Sequence, residues 1–140
     1  MQPTLFNVCE YWFAKDQTRI LSLRVDTLSQ MMNLGNVRPG GRYIVVDDAS
    51  GMVVSAMLER LGGQSSTHTT NTAFLKLVTG NGRLITICDV DSPPAYPVMT
   101  QMNFPKELTA NVLSSLNWGT ADEAHTPSWV LSYNFLKKKL

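Results

Sequence analysis

Apolar residues recur at Leu5, Val8, Cys9, Trp12, Phe13 and Ile20, and the early spacings of three and four predict an amphipathic helix within Leu5–Leu21. Leu28, Met31, Met32 and Leu34 continue that pattern and predict a second helix, Leu28–Leu34, with Asp26 or Thr27 as its cap. The stretch "GNVRPGGR" is a loop. The apolar run after it predicts a buried parallel strand, Arg42–Asp47, followed by a helix over Gly51–Leu61 that Gly62 and Gly63 terminate. "QSSTHTTN", Gln64–Asn71, predicts an exposed polar loop, and Phe74–Val78 a short strand or helical turn. An Asn81-Gly82 turn leads into a second strand, Arg83–Cys88. Pro93, Pro94 and Pro97 interrupt the chain before a helix predicted over Lys106–Leu116. Ala121–Pro127 is a polar linker, and "WVLSYNFLKKKL" has helix or strand character.

Strand and helix alternate, so the pattern predicts an α/β fold with a parallel sheet covered by helices. Only two or three strands are legible, few for an open α/β sheet: either further strands lie in segments without a clear pattern, or the chain is part of a larger domain. A partial sheet leaves an edge and some apolar faces uncovered. The candidates are Leu84, Ile85 and Ile87 on the second strand, and Val112, Leu113 and Leu116 on the following helix.

Composition narrows this picture slightly. The 140 residues are 44% apolar and 16% charged, which suits a packed core. A net charge of +1 gives no general attraction for nucleic acid or membrane, so any RNA contact has to come from a local patch. Cys9 and Cys88 do not form a disulfide framework and read as reduced thiols, small buried hydrophobes of a cytosolic or nuclear protein. No stretch reaches the length of a membrane span, and Met1-Gln2-Pro3-Thr4 lacks the layout of a signal peptide.

The strand–turn–helix unit "YIVVDDASGMVVSAML" is where an α/β domain would hold a nucleotide-like cofactor. Such a turn uses glycines because some positions take positive φ and the backbone must approach the ligand closely. The class I methyltransferases, which bind S-adenosylmethionine, carry an acid-x-Gly-x-Gly-x-Gly pattern there. On this sequence the pattern falls on Val45, Asp47, Ala49 and Gly51, and only the last is glycine. With Asp47 taken as the acid, Ala49, Gly51 and Val53 again supply one glycine. The turn is degenerate, with a negative charge close to where the methionine carboxylate would lie.

Two longer blocks, "LRVDTLSQMMNLGNVRPGGRYIVVDDASGMVVSAMLERLGG" and "LITICDVDSPPAYPVMTQMNFP", resemble the non-catalytic subunits of the eukaryotic tRNA (adenine-N1)-methyltransferase, the Gcd10 family. The resemblance covers roughly Leu5 to Trp118, interrupted by an apparent polar insertion around residues 64–78. It implies a Rossmann-like class I methyltransferase fold, of which residues 1–118 would be the N-terminal part and 119–140 a divergent tail. It also implies a nuclear, catalytically silent subunit that supports methylation of an adenine in the tRNA T-loop. That subunit would assemble with a catalytic partner holding S-adenosylmethionine, and would bind tRNA. It implies no catalytic residue, cofactor or metal on this chain, and no membrane. The residues alone leave two alternatives open: an active methyltransferase with an atypical cofactor turn, and a non-functional truncated paralogue.

Other candidates are weaker. "DSPPAY", Asp91–Tyr96, resembles the Asp-Pro-Pro-Tyr motif of amino-group methyltransferases, but an alanine intervenes and the motif follows the second strand rather than the fourth. Asp89 and Asp91 end a strand, where an acid would meet a cofactor ribose. His68 and His125 lack a second ligand at metal spacing. Arg24, Arg38 and Arg42, with Arg19 nearby, are the RNA-binding candidates, because the guanidinium fork suits phosphate. Lys137–Lys139 reads as a solvated tail.

Overall fold

A computed structural model describes residues 3–63, 82–89 and 95–120. The expectations for Gln64–Asn71, Phe74–Val78, Asp91, Pro93, Pro94, both histidines and everything after residue 120 lie outside the described residues.

Thr4 starts the first helix, α1 (Leu5–Lys15), by accepting the Asn7 N–H on its hydroxyl at 3.2 Å. The helix stops short of the predicted Leu21. The Asp16 carboxylate accepts the Thr18 hydroxyl at 2.6 Å and the Arg19 N–H at 3.2 Å, turning the chain into a 3₁₀ turn, Thr18–Ile20. The second helix, α2 (Val25–Leu34), begins before the predicted Leu28. Arg24 is its extended N-cap, and Asp26 sits in the first turn, favoured there by the helix dipole, instead of capping.

The first strand, β1, spans Arg42–Val46. The loop into it is tied by Tyr43, whose hydroxyl accepts the Arg38 N–H at 3.0 Å and donates to the Asn36 carbonyl at 2.7 Å. The following helix, α3 (Met52–Leu58), is buried on nearly every side and continues as a π-helical turn, Glu59–Gly63. The two glycines therefore lie within the last turn rather than beyond it.

The second strand, β2 (Arg83–Cys88), lies between β1 and a third strand, β3 (Leu113–Asn117), in a parallel sheet of order β1-β2-β3. Ile44 is in register with Ile85 and Val46 with Ile87; Ile85 pairs with Ser114 and Ile87 with Leu116. This corrects two expectations. Leu84, expected at an open edge, is fully buried on a central strand. Leu113 and Leu116, expected on a helix, form β3: the helix that precedes it, α5 (Lys106–Val112), passes into the strand with no connecting residue. Pro97, read as an interruption, opens a short helix, α4 (Pro97–Gln101), at a position where its missing N–H costs nothing.

Successive right-handed crossovers along one direction of a sheet put their helices on the same face. Val45, Leu84 and Thr86 point to that face and are buried beneath α3 and α5. α1 and α2 pack outside α3 and complete a core around Cys9, Ile20, Leu28, Met52, Val54, Leu58, Val98 and Val112. Trp12 joins the two ends of this layer, donating its indole N–H to the Gln101 side chain at 2.8 Å. The opposite face carries Ile44, 70% exposed, and Val46, 65% exposed. The result is the α/β arrangement expected of a partial Rossmann-like fold.

Candidate functional site

β1 ends into the turn Asp47–Gly51. Ser50 and Gly51 both take positive φ, 57° and 88°, which lets the chain reverse into α3. The Ser50 hydroxyl donates to the Arg19 carbonyl at 3.0 Å, and its own carbonyl accepts the Val98 N–H at 3.2 Å. The turn is thereby clamped between the segment after α1 and the start of α4.

The Asp47 carboxylate faces inward along this turn. One oxygen accepts the Ala49 N–H at 2.8 Å and the Gly51 N–H at 3.3 Å, and the other accepts the Val54 N–H at 2.8 Å. These donors belong to the turn and to the first turn of α3, where unpaired N–H groups would otherwise attract a ligand's anionic group. Here the chain's own carboxylate takes them. The remaining turn residues are also committed: Val45 and Ala49 face the core, and Gly51 lies under Tyr96. A Cβ on Gly51 would come within 2.5 Å of the Tyr96 Cβ. The residues present do not fit a ligand carboxylate laid against this turn.

Beyond the turn, a cleft of about 300 Å³ opens at the C-terminal ends of the strands. Val46–Asp48 and Ile87–Asp89 form its walls, with Tyr96 and Trp118 completing it. This is where open α/β sheets place ligands. Asp89 stands here, as its strand-end position suggests, and is exposed. Asp91 lies outside the described residues. Tyr96, the aromatic of "DSPPAY", is buried over the turn with its hydroxyl bonded to Thr86, so it presents no open stacking face. Cys88 is half-buried, its thiol donating to the Leu116 carbonyl at 3.4 Å, whereas Cys9 is fully buried. Among the described residues no group of three histidines, cysteines or acids could hold a metal.

Burial raises the pKa of Tyr96, aided by the negative charges of Asp47, Cys88 and Asp48; the Thr86 bond opposes them. A phenol that ionises more easily unfolded than folded stabilises the fold fully below the ordinary value of 10.0 and progressively less above it. Alkaline titration of stability is therefore expected to fall above that value, and Tyr96→Phe to reduce the fall, both measured by urea unfolding.

The RNA-binding candidates are not one patch. Arg24 is paired with Asp26 at 3.0 Å and Arg19 with Asp16 at 3.4 Å, all at the surface. Arg38 and Arg42 are exposed at the entry to β1, the end of the strand remote from the cleft. Arg42 is in register there with Arg83. Pattern reading missed the inward role of Asp47 and the cleft positions of Tyr96 and Trp118. The acid ahead of a small-residue turn and a buried helix was the available signal for the first.

A parallel α/β sheet whose first strand-to-helix turn is filled by its own carboxylate defines a class: partial Rossmann-like folds with a self-occupied turn. Residues 1–131 match the Gcd10p family, and the chain belongs to it. It is similar to the tRNA (adenine(58)-N(1))-methyltransferase non-catalytic subunit TRM6 of Debaryomyces hansenii, 28% identical over 109 residues, which cover 78% of this chain and 19% of that protein. The protein of the same name from Mus musculus is 39% identical over 90 residues, 63% of this chain and 17% of the relative. That from Schizosaccharomyces pombe is 38% identical over 63 residues, 45% and 14% respectively. The chain thus spans less than a fifth of the length of these relatives.

Proposed function

We propose that this chain is a non-catalytic component of a tRNA (adenine-N1)-methyltransferase, acting in the nucleus on the T-loop adenine through assembly with a catalytic subunit and contact with tRNA. S-adenosylmethionine and the catalytic acid reside on the partner in this reading. The observation that carries it is the Asp47 carboxylate on the Ala49, Gly51 and Val54 N–H groups, which supports loss of cofactor binding by this turn. Family membership supports the rest. A silent subunit contributes to rate by alignment: gripping the tRNA fixes adenine N1 against the methyl donor on the neighbouring subunit. Arg38 and Arg42, free of carboxylate partners among the described residues, are the arginines best placed for that grip.

Calorimetry of the purified chain with S-adenosylmethionine is expected to give no binding heat, while the chain co-elutes with the catalytic subunit. A micromolar dissociation constant would overturn the silent-subunit reading of the turn, and failure to co-elute would favour a non-functional paralogue. The chain alone is expected to bind tRNA weakly with a shallow salt dependence. Charge reversal at Arg38 and Arg42 should weaken tRNA binding by the assembled complex, measured by filter binding.

A further inference from the structure

The loop that delivers the chain to β1 is tied at three points. At its tip the Gly41 N–H donates to the Arg38 carbonyl at 3.1 Å, with Pro39 second and Gly40 third at φ 78°. That is the signature of a type II turn, which holds its first and fourth Cα atoms within about 7 Å. Before the turn, Val37 is buried and its N–H donates to the Met32 carbonyl at 2.9 Å. After it, the Gly41 carbonyl accepts the Arg83 N–H at 2.9 Å. The third tie is Tyr43, whose hydroxyl takes the Arg38 N–H and gives its proton to the Asn36 carbonyl. Gly41 makes room for it, since a Cβ there would overlap the Tyr43 ring and hydroxyl. Arg38 and Arg42 stand on either side of this turn, both exposed and neither paired with a carboxylate among the described residues.

We infer that Tyr43 is a positioning residue for RNA: it holds residues 36–41 so that Arg38 and Arg42 meet phosphates of one strand on a loop that is already ordered. The inference rests on the tRNA reading proposed above and deepens it, naming the group gripped and the residue that prepares the grip. Guanidinium forks suit phosphate oxygens, and a loop ordered in advance binds more tightly than one that must be ordered on contact. Tyr43 itself touches no RNA, because its hydroxyl is engaged by the loop. Two kinds of change therefore leave different marks. Losing an arginine removes a phosphate contact and lowers the slope of log affinity against log salt by about 0.7–0.9. Losing the tie keeps the contacts but adds an ordering cost, which shifts affinity by the same factor at every salt concentration.

The test is filter binding of the full chain to an unmodified tRNA transcript, from about 20 to 150 mM salt, with urea unfolding of each variant as a check on folding. Tyr43→Phe, which keeps the ring, is expected to weaken binding about fivefold at every salt concentration, with the slope unchanged. Gly41→Ala should do the same: its φ lies outside the left-handed region, and the far end of the Tyr43 ring can swing aside. Arg38→Ala combined with Arg42→Ala should weaken binding and lower the slope by about 1.4–1.8. In that double variant Tyr43→Phe should have no further effect, the mark of a residue that acts through those arginines. Unchanged affinity in Tyr43→Phe, or a loss that persists without the two arginines, overturns the inference. No retention of tRNA, or none lost with the arginines, overturns it together with the arginine grip. Cofactor calorimetry and co-elution still judge the silent-subunit reading separately. Poly-glutamate binding as tightly as tRNA, with the same dependence on the arginines, would assign the loop to an acidic protein surface and also overturn it.

Discussion

Gly51→Ala is expected to destabilise the chain by about 3 kcal/mol or more, the sum of a left-handed backbone imposed on a residue with a Cβ and an overlap that cannot relax cheaply. At Gly51 φ is 88°, and the new Cβ would meet the Tyr96 Cβ at 2.5 Å, an atom fixed to the backbone. Gly40→Ala is the matched control. Its φ is 78°, but nothing lies within 4 Å of an added Cβ, so only the conformational cost, about 1 kcal/mol, remains. Urea unfolding of both variants reads the difference as a shift in midpoint at constant slope. Equal losses would mean that Tyr96 does not close over the turn as described.

Asp47→Ala is expected to cost about 2–3 kcal/mol, because a charged acceptor is lost and the Ala49, Gly51 and Val54 N–H groups are left without it. Asp47→Asn keeps one acceptor oxygen and should lose less. The sign of this effect is informative. In a domain that holds an anionic ligand at this turn, an acid there is a functional cost and its removal tends to stabilise the empty protein. Here the acid supplies the anion, and denaturant midpoints for the two variants should both fall, alanine further than asparagine.

The elements legible in the sequence were those whose apolar pattern is local. Tyr43–Val46 and Leu84–Ile87 are short apolar runs after glycine-rich turns, and both are strands. β3 was misread because Leu108, Val112, Leu113 and Leu116 fit a helical period as well as the true helix-then-strand division. Pairing with β2, a contact invisible to periodicity, decides between them. α4 was missed because Pro97 marks a helix start as readily as a chain break. At the candidate site, the loss of glycines was readable, but the replacement for the ligand was not. Asp47 reaches Val54, seven residues on, and only the folded turn brings them to 2.8 Å. The four arginines, all within Arg19–Arg42, are divided by α2, and Arg19 and Arg24 are taken up by carboxylate partners.

The seam at Val112–Leu113, where helix becomes strand without a spacer, gears two periodicities together. Adding one residue to a loop is absorbed by the loop; adding one here has nowhere to go. If α5 kept its place, the extra residue would move β3 by one step and reverse which of its side chains face the helices, taking Leu116 and Asn117 to each other's sides. If β3 kept its place, α5 would rotate by about 100° and lift Leu108 from the core. Length variation among descendants of this chain is thus expected to avoid this seam, however freely side chains around it are exchanged.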